Sequence, residues 1–126
     1  MYNVVNIGEK EVPMLSMASV DIYFKNIFHE DPVAIQTNME TNDAISFYQR
    51  MGFVMAKFAE LKERKEMLKL TEDAYIEWMD GFERNDLLQA LEYIQKTYDG
   101  QQVTSSDAKK KERRTERKMT DRKSVV

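Results

Sequence analysis

The sequence predicts an α+β domain that is predominantly helical, with an N-terminal β-hairpin packed on about four helices and a basic C-terminal tail. Three observations support this prediction. Strand-forming residues at the start are interrupted by a glycine, apolar residues then recur at helical spacing, and apolar residues become scarce after Gly100. We therefore predict a helical domain at residues 1–100 and a disordered tail at residues 101–126.

Two short extended segments open the chain, at residues 2–7 and 11–14. The first is rich in valine and isoleucine, and Gly8 supplies the backbone freedom for a turn between the two. Pro13 has no amide hydrogen to donate, which places its segment at the edge of a sheet. Because a two-stranded ribbon is marginal alone, we expect it to pack on the helices.

The first helix is predicted at residues 17–29, with Ser16 as its N-cap and the Asp31-Pro32 pair as its stop. Residues 33–40 read as a connector, in which residues 33–35 could be extended. The helix has one apolar face, formed by Met17, Val20, Phe24, Ile27 and Phe28.

The second helix, at residues 43–64, is the longest, and Asn42 can cap it. Besides its main apolar stripe it carries a second one, formed by Phe47, Val54 and Leu61. A helix that is apolar nearly all round is either the central helix of its domain or part of an interface. Phe47 and Val54 are therefore candidate contacts between copies of the chain, and we expect a homo-oligomer.

The third and fourth helices are predicted at residues 72–83 and 86–98, with Thr71 capping the third and Gly100 ending the fourth. Three aromatic side chains share one face of the third helix. Such a face is ordinarily core, although a short acidic helix with an aromatic face can also anchor a partner segment. The candidate partner-binding residues on this helix are Tyr75, Trp78 and Phe82.

Charge is unevenly distributed along the chain. Residues 101–126 hold nine Lys or Arg against four Asp or Glu, a net charge of +5, so residues 1–100 carry −8. An acidic body is a poor platform for DNA phosphates, and the tail has no aromatic residue on which a base could stack. Nucleic acid is therefore not the expected partner. A regulatory module whose basic tail contacts nucleic acid is the alternative interpretation.

Cysteine and several motifs of common enzyme sites are missing from the sequence. Without cysteine there are no disulfides, thiolate nucleophiles or thiolate metal sites. Glycine-rich phosphate loops, G-x-S-x-G and H-E-x-x-H are also absent. We expect no catalytic residues, no cofactor and no metal. We likewise expect no signal peptide and no membrane span, because the most apolar stretch, residues 44–61, contains Arg50 and Lys57.

Three stretches of the sequence are distinctive: VVNIGEKEVP at residues 4–13, MGF at residues 51–53 within the apolar stretch 44–61, and YIEWMDGFE at residues 75–83. Together they resemble the tail assembly chaperones of long-tailed siphophages and prophages of Gram-positive bacteria. The resemblance covers roughly residues 1–100. Its most specific part is the acidic segment around Trp78.

This resemblance implies a small non-catalytic protein of the host bacterial cytoplasm that acts before the virion is complete. Proteins of this family bind the long, largely helical tape measure protein and keep it soluble. They help recruit tail tube protein around it and are absent from the finished tail. The expected partners are therefore the tape measure protein and the tail tube protein.

Overall fold

A computed structural model describes residues 1–103, apart from the side chains at positions 41 and 42. Within this range an N-terminal hairpin is followed by helices, which confirms the α+β, mainly α class. The predicted disorder of residues 104–126 lies outside the described residues. The elements are β1 (Tyr2–Ile7), β2 (Lys10–Leu15), α1 (Val20–Phe28), α2 (Pro32–Thr37), α3 (Thr41–Glu60), α4 (Arg64–Met67), α5 (Glu72–Asp80) and α6 (Arg84–Tyr98).

The strands β1 and β2 pair antiparallel, with Val5 opposite Val12. Alternate residues of β1 are buried, so one face of the hairpin packs on the helices. Gly8 makes the turn with a φ of +63°, in the left-handed region that favours glycine. A Cβ at this position would lie 2.5 Å from Oδ2 of Asp86, so the turn also needs glycine because it sits against the start of α6.

Helix α1 begins at Val20, three residues later than predicted. Ser19, not Ser16, occupies the N-cap position. The predicted cap was wrong because Ser16 still belongs to the hairpin. Its amide donates to the Met1 carbonyl at 2.9 Å, and its hydroxyl donates to the Tyr98 carbonyl at 3.3 Å.

The end of α1 is formed by His29, which adopts a left-handed φ of 57° and donates its amide to the Lys25 carbonyl at 2.8 Å. Asp31 and Pro32 do not act as a stop; they start α2. Asp31 Oδ1 accepts from the Val33 amide at 3.0 Å, and Pro32 lies at the first helical position, where a missing N–H costs nothing. The extended stretch considered at residues 33–35 is therefore helical.

Helix α3 is the central element and packs against β2, α6 and α1. All six residues from 51 to 56 are buried, so α3 is the central helix of the domain and this stretch offers no surface for an interface. At Gly52 the α6 side chain Ile94 approaches closely, since an added Cβ would meet its Cδ1 at 3.0 Å. The helix starts after Glu40, whose carbonyl accepts its first bonds, so the predicted cap Asn42 lies inside the first turn.

The predicted end of this helix at residue 64 was also too late. The backbone becomes extended at Leu61, and a short helix, α4, follows. Met67 on α4 is fully buried, so this segment turns back onto the core and does not continue as an exposed helix.

Helices α5 and α6 confirm two predicted elements with shifted bounds, since α5 ends three residues early, at Asp80, and α6 starts two residues early, at Arg84. Thr71 is at the N-cap position of α5 but makes no side-chain cap hydrogen bond. Gly100 ends α6 as predicted. Its φ is +79°, and the amides of Gly100 and Gln101 donate to the Thr97 and Lys96 carbonyls in a Schellman motif.

The packed part of the chain runs three residues past the predicted boundary at Gly100. Asn3 on β1 is buried and donates Nδ2 to Thr97 Oγ1 at 3.0 Å and to the Gln101 carbonyl at 2.9 Å. Its Oδ1 accepts from the Val103 amide at 3.0 Å. Val103 is only 4% exposed, so the segment that follows α6 is held against the first strand.

Candidate partner-binding site

Phe47 and Val54 are fully buried, with 0% of each residue exposed. The Phe47 ring packs between Phe24, at a centroid distance of 5.4 Å, and Tyr98, at 5.8 Å. Both candidates therefore belong to the core of a single chain. They offer no surface to a second copy, and the interface role considered for them does not fit the folded domain.

Tyr75, Trp78 and Phe82 are brought together at the surface, each partly buried. Tyr75 packs edge-on against Phe28 at 5.2 Å and meets Phe53 at 5.6 Å. Trp78 contacts Phe53 at 5.9 Å and Phe82 at 5.0 Å. The three candidates thus pack against the core and keep part of their surface accessible.

Helix α5 has no buried residue at all. Nine residues are too few for a stable isolated helix, so packing must hold it in place. The aromatic contacts to Phe28 and Phe53 supply this packing. Beyond the helix, Lys10 of β2 donates to the Gly81 carbonyl and lies 5.2 Å from the Phe82 ring centroid. The α5 segment is therefore a surface element anchored by its aromatic side chains.

An open groove of about 710 Å³ runs beside this segment, between α5, α3 and α2. Arg50 lines its α3 side, forms an ion pair with Glu30 at 2.9 Å, and places its guanidinium 5.3 Å from the Phe28 ring centroid. This cation–π contact holds the positive charge of Arg50 against the buried ring of Phe28. The apolar lining consists of Phe28, Ile35, Tyr75 and Ile76.

Tyr75 lines the groove and carries a titratable hydroxyl. Burial raises the pKa of its hydroxyl above the ordinary tyrosine value, and the positive charge of Arg50 opposes this only in part. The hydroxyl is therefore neutral at pH 7 and contributes no charge to the groove.

Sequence reasoning did not single out Ile76, although this side chain is 51% exposed and lines the groove. The helical spacing of the aromatic residues indicated Tyr75 and Trp78, whose rings contact Phe28 and Phe53 of the core. Its position in the sequence could have indicated this exposure. Ile76 follows Tyr75 directly, so it lies about 100° round the helix from the aromatic row and outside the core-facing stripe.

In residues 1–103 no group of three or more His, Asp or Glu side chains is placed to hold a metal ion. None of the helices described combines the length and apolar character needed to cross a membrane. Comparisons with protein-family models, curated proteins and solved structures found no match for the chain.

Proposed function

We propose that the chain is a phage tail assembly chaperone that binds tape measure protein in the host bacterial cytoplasm. It keeps this client soluble while tail tube protein is recruited, and it leaves before the tail is finished. The observation that carries the proposal is the YIEWMDGFE segment, which forms a surface element with accessible aromatic and aliphatic groups.

The other two stretches that carry the resemblance have evident packing roles. The VVNIGEKEVP stretch forms the hairpin, and its Gly8 fits against Asp86. In the MGF stretch, Gly52 permits the close approach of Ile94 in α6. The α5 segment combines the most specific part of the resemblance with the half-exposed Ile76 and partly accessible aromatic rings, which favours this segment as the client contact.

Exposed aliphatic side chains are not confined to α5. Val33 on α2 and Leu68 just after α4 are each more than half exposed, as is Ile76. A long helical client offers apolar side chains at repeated intervals, and several weak contacts along it add up through effective concentration. Small apolar surfaces on a chain present in many copies suit such a client.

The direct test is co-expression of the full chain with a tape measure protein from the same genome. We expect a large rise in the soluble fraction of the tape measure protein relative to an empty vector and to an unrelated acidic protein of similar size. A tape measure protein that stays insoluble in all three cases would contradict the proposal. Co-purification of nucleic acid in place of the client would support the alternative of a regulatory module.

Trp78→Ala, with circular dichroism measured on the same preparation, shows whether the α5 segment contacts the client. We expect lower client solubility with most of the helical signal retained, because Trp78 is only partly buried and Tyr75 still attaches α5 to Phe28 and Phe53. Unchanged solubility with a retained helical signal would remove Trp78 from the contact.

A further inference from the structure

The groove between α2, α3 and α5 has an unbalanced charge. Its lining contains three carboxylates, on Glu30, Asp43 and Glu72, but one cation, Arg50. Arg50 is already paired with Glu30. Among the residues that the structure describes, no Lys or Arg nitrogen lies within ion-pair distance of Asp43 or Glu72. Within residues 1–103 the groove therefore presents two carboxylates that form no ion pair with a Lys or Arg side chain.

The shape of the groove suits a helix. On α3 its lining follows Asp43, Ser46 and Arg50, at i, i+3 and i+7. Seven residues of a helix extend about 10 Å, so the length of the groove along α3 matches about two turns of a second helix. Ile76, half exposed on the opposite wall, supplies the apolar contact.

We propose that this groove binds a basic amphipathic helix of the client protein. Apolar side chains of that helix pack on Ile76 and Tyr75, and its flanking Lys or Arg side chains face Asp43 and Glu72. The inference rests on the proposed function, since it assigns the chemistry of the client segment at the same surface. Charge complementarity selects the basic helix over an acidic one.

The basic tail of the chain itself is a less suitable occupant. Residues 104–126 have the right charge, but their apolar residues do not recur at three- or four-residue spacing, so they offer no stripe to the groove. The apolar residues there are Ala108, Met119, Val125 and Val126.

The test uses two labelled synthetic helices with the same leucine stripe at i, i+3, i+4 and i+7, one flanked by lysine and the other by glutamate. Binding to the full chain is followed by fluorescence anisotropy at low salt. We expect the lysine peptide to bind about tenfold more tightly than the glutamate peptide. Equal affinity, or no binding of either peptide, overturns the inference.

Variants locate the binding in the groove. Ile76→Asp should lower the affinity for the lysine peptide about tenfold, while Ile22→Asp, at an exposed aliphatic residue outside the groove lining, should change it less than about twofold. Glu72→Lys should weaken binding severalfold. Glu77→Lys, on the same helix but outside the groove lining, is the matched charge control and should have little effect. Equal effects of the two lysine variants would overturn the inference.

An unlabelled peptide of residues 104–126 serves as competitor. Displacement of the lysine peptide by this competitor would assign the groove to the tail and overturn the inference. Failure of the lysine peptide to bind while co-expression still solubilises the tape measure protein would reject this groove and leave the chaperone function intact. Failure of both experiments would reject the proposed function.

Discussion

Phe24, Phe47 and Phe53 are completely buried, whereas Trp78 and Phe82 keep part of their surface accessible. Residue type does not distinguish the two groups, since both are aromatic and both occur at helical spacing. The difference arises from position, because Phe24 lies on the buried face of α1 and Phe47 and Phe53 lie on the central helix α3, whereas α5 has no buried residue. An aromatic residue on α5 therefore attaches its helix to the core and still keeps part of its surface accessible.

At the residue scale, Phe47→Ala should be strongly destabilising. The ring fills the space between Phe24 and Tyr98, and its removal leaves a cavity that the packed helices cannot close. We expect the free energy of unfolding to fall by about 3–5 kcal/mol in urea denaturation. Ile22→Ala, at a residue that is 66% exposed, is the control and should change it by less than about 0.5 kcal/mol. A Phe47→Ala protein with unchanged stability but a smaller oligomeric state would contradict the core assignment.

The sequence pattern identified this residue as apolar and helical but could not assign it to core or interface. Both environments exclude water and select the same side chains. The choice depends on what covers the second stripe of α3, and at Phe47 the covering side chains are Phe24 of α1 and Tyr98 of α6. Those are long-range contacts, and helical periodicity carries no information about them.

At the scale of elements, the longer helices and the hairpin were predictable, and most of their boundaries were not. Periodicity located α1, α3, α5 and α6 because each has an apolar face of at least two turns. The short helix α2 was missed because Asp31-Pro32 can signal either the end of one helix or the start of the next. The hydrogen bonds that the Val33 and Ile35 amides donate to Asp31 show that the pair starts α2.

A single side chain joins β1 to the end of α6. Asn3 makes three hydrogen bonds, to Thr97, Gln101 and Val103, and all of them span more than 90 residues of sequence. No local pattern predicts such a contact, because an asparagine in a strand segment is ordinarily solvent-facing. The contact explains why the ordered segment extends beyond Gly100.

Asn3→Ala should release residues 101–103 from β1. The substitution leaves the Val103 amide and the Gln101 carbonyl without these partners, and we expect a loss of about 1–3 kcal/mol in the free energy of unfolding. Hydrogen exchange of the Val103 amide should become much faster. Asn26→Ala, on the exposed side of α1, is the matched control and should affect neither quantity. Retained protection of the Val103 amide in Asn3→Ala would show that the Asn3 hydrogen bonds do not hold residues 101–103 against β1.

At the scale of the whole molecule, acidic and basic residues are separated along the chain, with −8 on residues 1–100 and +5 on residues 101–126. This separation was readable from the sequence, as was the helical content. The groove could not be predicted from the sequence, because it forms where α2, α3 and α5 meet. Its lining residues lie up to 48 positions apart in the chain, from Phe28 to Ile76. Both apolar and charged side chains line the groove, so it can hold a client by apolar contacts and orient it by charge.

The most direct measurement is the composition and mass of the complex between the full chain and tape measure protein, by size-exclusion chromatography with light scattering at two salt concentrations. Raising the salt from about 0.15 M to about 1 M shortens the screening length from about 8 Å to about 3 Å and removes most of the attraction between exposed charges. We predict a complex at both concentrations, because apolar contacts supply most of its stability. A complex that dissociates at about 1 M salt, or the absence of any complex at about 0.15 M, would contradict a chaperone that holds its client through apolar contacts.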